Sequence, residues 1–299
     1  PVYKMTLSDG RVIKMSDDHK CIVWKRKREM VAGKNRCKNN CPSGYTEVVM
    51  TAKELYESGV KTNRTPKKDG YSENDYKYWV PMMGLSESTI EYDSNDYGFD
   101  AYTTGVILGD GSTCKDTGYT RITAHKDDMF EYEKYIPYNF GKTTKKYVNG
   151  IEQNAVMFGL VGMGKSIKKW IGDERSYTKR VPEKLMNGSM FQRLEVLKGL
   201  MDTDGTVYKN GYCSFTSTSK GLAEDVQYLV QSLGGSAFVT ESDTESEFGK
   251  AWSARIKINR IIFKLKRKVN RQVFRESYMR NPIESIEIID NEPTQCISV

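Results

Sequence analysis

Two Asp-Gly pairs, Asp110-Gly111 and Asp204-Gly205, stand 94 positions apart, and each closes an apolar run. The first run reads Thr103-Thr104-Gly105-Val106-Ile107-Leu108-Gly109-Asp110-Gly111 and the second Leu197-Lys198-Gly199-Leu200-Met201-Asp202-Thr203-Asp204-Gly205. Both hold Gly at the third position, a small residue at the seventh, Asp at the eighth and Gly at the ninth. On helices, positions three and seven share a face, so Gly105 with Gly109, and Gly199 with Thr203, would let two helix backbones approach closely. Each helix would then end on an acid, which opposes the helix dipole, followed by a glycine free to turn left-handed. Two such ends side by side gather carboxylates and carbonyl oxygens, an arrangement that needs a cation. Hard oxygen donors suit Mg²⁺, with Mn²⁺ as a substitute, and an ion there can activate water and stabilise a leaving oxygen at a phosphodiester. On this reading Asp204 is the ligand and Asp202, pointing elsewhere, is structural or solvent-facing.

The elements around these runs recur in order. FDAYTTGVILGDGS is followed by GYTRITAH, which alternates as a strand, and DDMFEYEKYI, which has helical spacing. FQRLEVLKGLMDTDG is followed by YCSFTSTS and KGLAEDVQYLVQSLGG, with Leu222, Val226, Leu229, Val230 and Leu233 on one face and Gly234-Gly235 as the stop. This is one supersecondary unit repeated. Upstream the regime is different: PVYKMTL and RVIKM flank Ser8-Asp9-Gly10 as a hairpin, CIVWK and KYWVPMM read as strands, and TEVVMTAKELYESG as a strand entering a helix that stops at Gly59.

Composition narrows the chemistry. With only His19 and His125, a histidine-based zinc hydrolase or a His-Asn-His nuclease is disfavoured, and catalysis falls to carboxylates and lysines. The net charge of +7 is concentrated: residues 19–41, with Lys25-Arg26-Lys27-Arg28, and residues 260–280 each carry eight basic side chains against one acid. Such clusters suit a phosphate backbone, although solvated faces explain charge alone equally well. Six cysteines in 299 residues are too few for a disulfide scaffold, which predicts reduced thiols and a soluble cytoplasmic protein without signal peptide or membrane span. Cys37 and Cys41, with Cys21 and His19 upstream, form a loose zinc set that lacks a tidy second pair, so an ordinary basic loop is the stronger reading. Cys114, Cys213 and Cys296 read as small core or strand residues.

The paired motifs resemble those of LAGLIDADG homing endonucleases in their two-repeat, single-chain, intein-encoded form, and KRVPEKLMNGSMFQRLEVLKGLMDTDGTV resembles the stretch leading into their second motif. The resemblance spans about residues 99–275. It implies an α+β fold of two pseudo-symmetric αββαββ repeats, about 99–185 and 190–275, forming a saddle of strands on duplex DNA. It also implies a monomeric, site-specific endonuclease that cuts both strands across the minor groove. Its metal ligands fall on Asp110 and Asp204, with the backbone carbonyls of Gly109 and Thr203 beside them. The family places a lysine near each acid: Lys179 fits the first repeat, while Lys264, Lys266 and Lys268 are offered by the second, with Lys266 preferred for catalysis and the other two for DNA. Arg121, Thr123, Lys209, Ser214 and Thr216 on the strands, and Lys25 to Arg28 in the basic segment, are further candidate DNA contacts. The first motif departs from the family name at Thr103 and Leu108-Gly109. A non-cleaving RNA maturase or DNA-binding module is the alternative, and two acids facing phosphates would serve it poorly.

The flanks, residues 1–98 and 276–299, resemble the Hint (protein-splicing) domain of inteins, a mostly-β fold. Ser16-Asp17-Asp18-His19 stands where that family has its Thr-x-x-His block, and IESIEIIDNEPTQCISV resembles the strands before the C-terminal splice block. An endonuclease inserted between two Hint halves is the usual intein arrangement. Ser16 replaces the usual Thr, no Cys or Ser nucleophile opens the sequence and no His-Asn pair closes it, which predicts that these residues alone do not splice.

Overall fold

The computed structural model describes residues 1–26, 45–62, 75–82, 92–114, 117, 119–171, 176–246 and 249–289. The chain separates into two compact units, Pro1–Met83 with Arg275–Val299, and Gly84–Phe274. The first division falls fifteen residues before the boundary that composition suggested at 98/99, because residues 92–98 belong with the second unit: Tyr97 is part of its core, and Asn95 exchanges hydrogen bonds with Gln192.

The first unit is a six-stranded antiparallel sheet. Its strands are β1 (Val2–Leu7), β2 (Val12–Ser16), β3 (Lys20–Arg26), β4 (Tyr45–Thr51), β5 (Tyr78–Pro81) and β14 (Arg280–Ile289), in the order β2-β1-β14-β5-β3-β4. Strand β14 returns from the far end of the chain to pair with β1 (Val2 opposite Ile289) and with β5 (Asn281 opposite Val80). Helix α1 (Ala52–Ser58) starts at a capping box in which Thr51 and Glu54 satisfy each other's backbone N–H, and stops at Gly59 with φ +64°. Tyr3, Met5, Leu7, Val23, Leu55 and Ile283 are core residues.

The second unit holds two four-stranded sheets with one strand order. Helix α2 (Ala101–Asp110) leads into β6 (Gly111–Thr113), β7 (Thr120–His125), α3 (Met129–Tyr135), β8 (Thr144–Val148), β9 (Ile151–Gly159) and α4 (Gly164–Trp170), with the sheet ordered β6-β7-β9-β8. After α5 (Glu183–Met186) the series recurs as α6 (Met190–Thr203), β10 (Gly205–Val207), β11 (Cys213–Ser217), α7 (Lys220–Ser232), β12 (Ser236–Ser246), β13 (Gly249–Lys257) and α8 (Lys266–Val269), ordered β10-β11-β13-β12. Each half therefore runs helix, two strands, helix, two strands, with a short closing helix added to the expected order.

Helix α2 is buried from Ala101 to Leu108, as an apolar helix with no polar face must be. Asp100 caps it by accepting the Thr103 N–H, and a Ser189–Gln192 capping box opens α6. The helices meet back to back. A Cβ on Gly105 would strike the Val196 carbonyl and fall 2.9 Å from Gly199 Cα, and a Cβ on Gly199 would strike the Tyr102 carbonyl. Gly109 similarly faces the Thr203 hydroxyl. The glycines after the acids serve contact, not handedness. Gly111 has φ −84°, and a Cβ on it would collide with the Ile107 carbonyl, as one on Gly205 would with that of Met201. Among the described residues no helix is long and apolar enough to cross a membrane.

Candidate metal and nucleic-acid site

The close helix packing brings the two acids together at the ends of α2 and α6. Asp110 is the last residue of α2 and Asp204 caps α6; both are half-buried. The Asp204 carboxylate reaches within 3.3 Å of where a Cβ on Gly109 would stand. No described residue donates a hydrogen bond or forms an ion pair with either carboxylate. Burial, and then the charge of Asp110, push the Asp204 carboxyl up to about 7, against the pull of Lys179 and Lys268. Burial raises Asp110 as well, opposed by Lys268, Lys179 and Lys146.

Two ammonium groups stand against the helix ends. Lys179 Nζ donates to the carbonyls of Gly109 (3.0 Å) and Gly111 (2.9 Å). Lys268 is the deeper of the two, its three N–H groups shared among the carbonyls of Met201, Asp202, Thr203 and Gly205 at 2.8, 2.6, 3.2 and 2.7 Å. Cations belong at helix C-termini, where the last carbonyls lack helical partners. Burial pushes the Lys268 ammonium down to about 8 and lowers that of Lys179.

The structure separates Lys266, preferred from sequence, from its neighbours Lys264 and Lys268 by their burial. Lys266 is exposed at the start of α8, its backbone N–H bound to the Glu131 carboxylate, while Lys268 two positions on turns inward beneath α6. Lys268 is thus turned away from the surface, and Lys264 is engaged within the unit, its ammonium pairing with Glu195 at 2.5 Å and lying over the Tyr102 and Tyr135 rings. The cause is Asp202, which is neither free nor solvent-facing. Its buried carboxylate accepts from Tyr102 Oη (2.8 Å) and from the Lys264 and Leu265 N–H groups, and so fixes the chain just before α8. Asp202 is pushed up to about 6 by burial, against those hydrogen bonds.

The outward face of each sheet carries the remaining candidates unevenly. Arg121 is exposed and Thr123 half-buried on β7, alternating with Ile122 and Ala124, which are buried. Thr216 is exposed on β11 and Lys209 in the turn before it. Ser214 is buried, its hydroxyl covered by that of Tyr208 at 3.2 Å, and the half-exposed Tyr208 takes its place at the surface. In the other unit Arg26 stacks over Tyr45 and Trp79, Lys25 lies over Tyr78 and His19 is exposed; Lys27, Arg28, Cys37, Cys41 and Cys296 lie outside the described residues. Cys213 is buried in β11, whereas Cys114 is exposed after β6.

The donor chemistry fits a hard cation at the carboxylates. Among the described residues no three His, Cys, Asp or Glu side chains converge, so an ion held by Asp110 and Asp204 would draw the rest of its shell from water, phosphate and backbone. The Gly109 and Thr203 carbonyls, expected beside it, already accept from lysines; each oxygen keeps a second lone pair.

Residues 191–271, which contain Asp204 and Lys268, match a family model described as a LAGLIDADG-like domain. Across its whole length the chain is 25% identical to the replicative DNA helicase DnaB of Mycobacterium intracellulare, of which it spans 46%. Over 67% of its length it is 26% identical to the ATP-dependent DNA helicase Hel308 of Thermococcus kodakarensis, of which it spans 19%. The chain thus spans less than half of either curated relative. Among solved structures, I-DmoI in complex with DNA and Ca aligns over 58% of this chain and 96% of its own at 14% identity with a TM-score of 0.38. The homing endonuclease I-WcaI bound to its DNA recognition sequence aligns over 58% and 84% at 12% identity and a TM-score of 0.32.

Proposed function

We propose that this protein is a site-specific DNA endonuclease that hydrolyses both strands across the minor groove, its two pseudo-symmetric repeats meeting at α2 and α6. The observation that carries the reading is the meeting of Asp110 and Asp204, two half-buried carboxylates without a partner among the described residues, at the tips of two glycine-packed helices. Two acids kept in that state cost stability, and a nuclease has a use for them that an RNA maturase or a passive DNA-binding module lacks.

Asp110 and Asp204 would hold the divalent ion, Mg²⁺ or Mn²⁺, which when bound supplies a polarised water and neutralises charge on the phosphodiester. The chain's own residues do the rest. Lys179 and Lys268 place positive charge at the two helix ends, where negative charge grows on the attacked phosphate. Lys268, though pushed down to about 8 by burial, still presents mostly an ammonium at neutral pH, held by the carbonyls at the end of α6. Arg121, Thr123, Lys209, Tyr208 and Thr216 present the outward sheet faces to the duplex. Monomeric action follows from having both acids on one chain.

The other unit is assigned as a Hint-like β domain that the endonuclease interrupts, the context of an intein. What supports this is the topology: the chain leaves the six-stranded sheet after β5 and re-enters it as β14. His19 then marks a remnant of a splicing block, and the matches to DNA helicases suit a host protein of that class.

The test is cleavage of a randomised duplex library with Mg²⁺ by the wild-type chain and by Asp110→Asn and Asp204→Asn. Defined double-strand cuts lost in both variants are expected. Enrichment of bound duplex with no cutting would overturn the reading.

A further inference from the structure

Each of the two site lysines is fastened through its chain neighbours to the opposite repeat. Around Lys179, which caps α2 of the first repeat, the fasteners come from α7 of the second. Ser219 Oγ donates to the Lys179 carbonyl at 2.8 Å, and the buried Asp225 carboxylate accepts the Val181 N–H at 2.8 Å and both arms of Arg180 at 2.8 and 2.6 Å. Around Lys268, which caps α6 of the second repeat, the fasteners come from the first. Buried Asp128 accepts both arms of Arg267 at 2.8 and 2.7 Å, and Glu131 accepts the Lys266 N–H at 3.0 Å. Glu131 and Asp225 hold corresponding places, each the fifth residue after the lysine that opens its helical segment, Lys126 and Lys220.

The arrangement is built to orient, more than to bury surface. Arg180 and Arg267 remain mostly exposed while the carboxylates they grip are about 3% and 5% exposed, and both pairs are two-pronged, the geometry that fixes direction best. Asp225 is hydrogen-bonded by Arg180 and Val181 and Asp128 by Arg267, the residues that flank the two lysines, and Asp128 also bears on the Lys268 charge.

We infer that Asp225 and Asp128 are positioning residues that set Lys179 and Lys268 crosswise, so that the lysine serving each cut depends on the other repeat. The inference rests on the endonuclease reading for its consequence, separate control of the two strands, but its geometry can be tested without cleavage.

The first measurement is reductive dimethylation of the metal-free full chain, read lysine by lysine by peptide mass spectrometry. Asp225→Asn is expected to speed labelling of Lys179 about ten-fold, the order that follows from loss of a charge-assisted pair, and to leave Lys268 unchanged; Asp128→Asn does the reverse. Arg180→Gln and Arg267→Gln, which remove the same pairs from their exposed side while keeping a hydrogen-bond donor, give the same two patterns should the aspartate variants fold poorly. Equal exposure of both lysines, or of neither, overturns the inference. The second measurement uses the duplex recovered from the library, labelled on each strand. Asp225→Asn slows one strand about ten-fold and accumulates a nick, and Asp128→Asn nicks the other strand. A role in folding alone would slow both strands together and sink the inference. A wild-type chain that cuts nothing, yet shows the crossed labelling pattern, would remove the endonuclease reading and leave the positioning intact.

Discussion

Gly105 and Gly199 lie against each other across the α2–α6 contact, a Cβ on either falling 2.9 Å from the other's Cα. No side chain can yield there, since the atoms in the way are backbone carbonyls of the facing helix. Gly105→Ala and Gly199→Ala must therefore push the helices apart, and both should cost about 3 kcal/mol or more through overpacking. For a unit of this size that lowers the melting temperature by about 6–12 °C. Calorimetry of either variant checks it; an unchanged melting temperature would mean the helices are not in backbone contact.

The acids give stability an unusual pH dependence in the metal-free protein. Asp204 and Asp202 titrate at about 7 and about 6 in the folded chain, above the value near 3.9 of an unfolded aspartate. Both groups favour the folded state when protonated, so their contribution is complete below about pH 4 and is lost as pH rises through 6 and 7. Lys268, depressed to about 8, works in the opposite sense only above that pH. Chelator-treated protein is expected to melt higher at pH 5 than at pH 7.5, with Asp204→Asn removing about 2 kcal/mol of the difference. Adding Mg²⁺ should raise the melting temperature at pH 7.5 and barely at pH 5, because the ligands must shed protons first. Thermal melts at the two pH values, with and without the ion, test both parts.

Much of this was legible in the residue order, for definable reasons. The Asp-Gly pairs, the small residues four apart and the recurring strand-helix order encode a helix pair with acids at its tips, because helical period and turn chemistry are local properties. Which lysine of residues 264–268 turns inward was not legible. Lys264, Lys266 and Lys268 alternate through a stretch that is neither regular strand nor long helix, so no period tells them apart. The choice is made by Asp202, sixty residues away, which anchors Lys264 and Leu265 and starts α8 so that Lys268 turns inward. Ser214 departs from its expected period for a related reason: alternation puts it on the outward face, but Tyr208 folds over it from the preceding turn. The glycines after the acids were assigned a left-handed turn, and what they supply is room against the last helical turn.

Salt dependence separates the outward residues by their burial. Arg121 stands exposed on β7, so Arg121→Ala should weaken duplex binding and reduce the slope of log affinity against log salt by about one. Ser214→Ala should leave the slope untouched, its hydroxyl being spent on Tyr208. Fluorescence anisotropy of a labelled duplex across a salt series, with Ca²⁺ to prevent cutting, distinguishes them. Equal effects of the two changes would mean that the β11 face opens to DNA in a way this structure does not show.

Lys268 and Lys266 make the sharpest contrast. Lys268 Nζ touches four carbonyls at the end of α6 and lies close enough to Asp110 and Asp204 to oppose the rise of both carboxyls, whereas Lys266 is exposed and hydrogen-bonds through its backbone. Lys268→Met is therefore expected to slow cleavage of one strand about 100-fold, the scale of a lost charge or proton-transfer partner. It should also destabilise the unit, since four helix-end carbonyls lose their donor. Lys266→Ala should change the chemical step less than about two-fold and act on binding alone, as an exposed cation near phosphates does. Single-turnover rates at saturating protein isolate the step from binding. If Lys266→Ala proved the slower variant under those conditions, α8 would have to turn by two residues on binding DNA, breaking the Asp202 anchor, and the geometry drawn here would describe only the free protein.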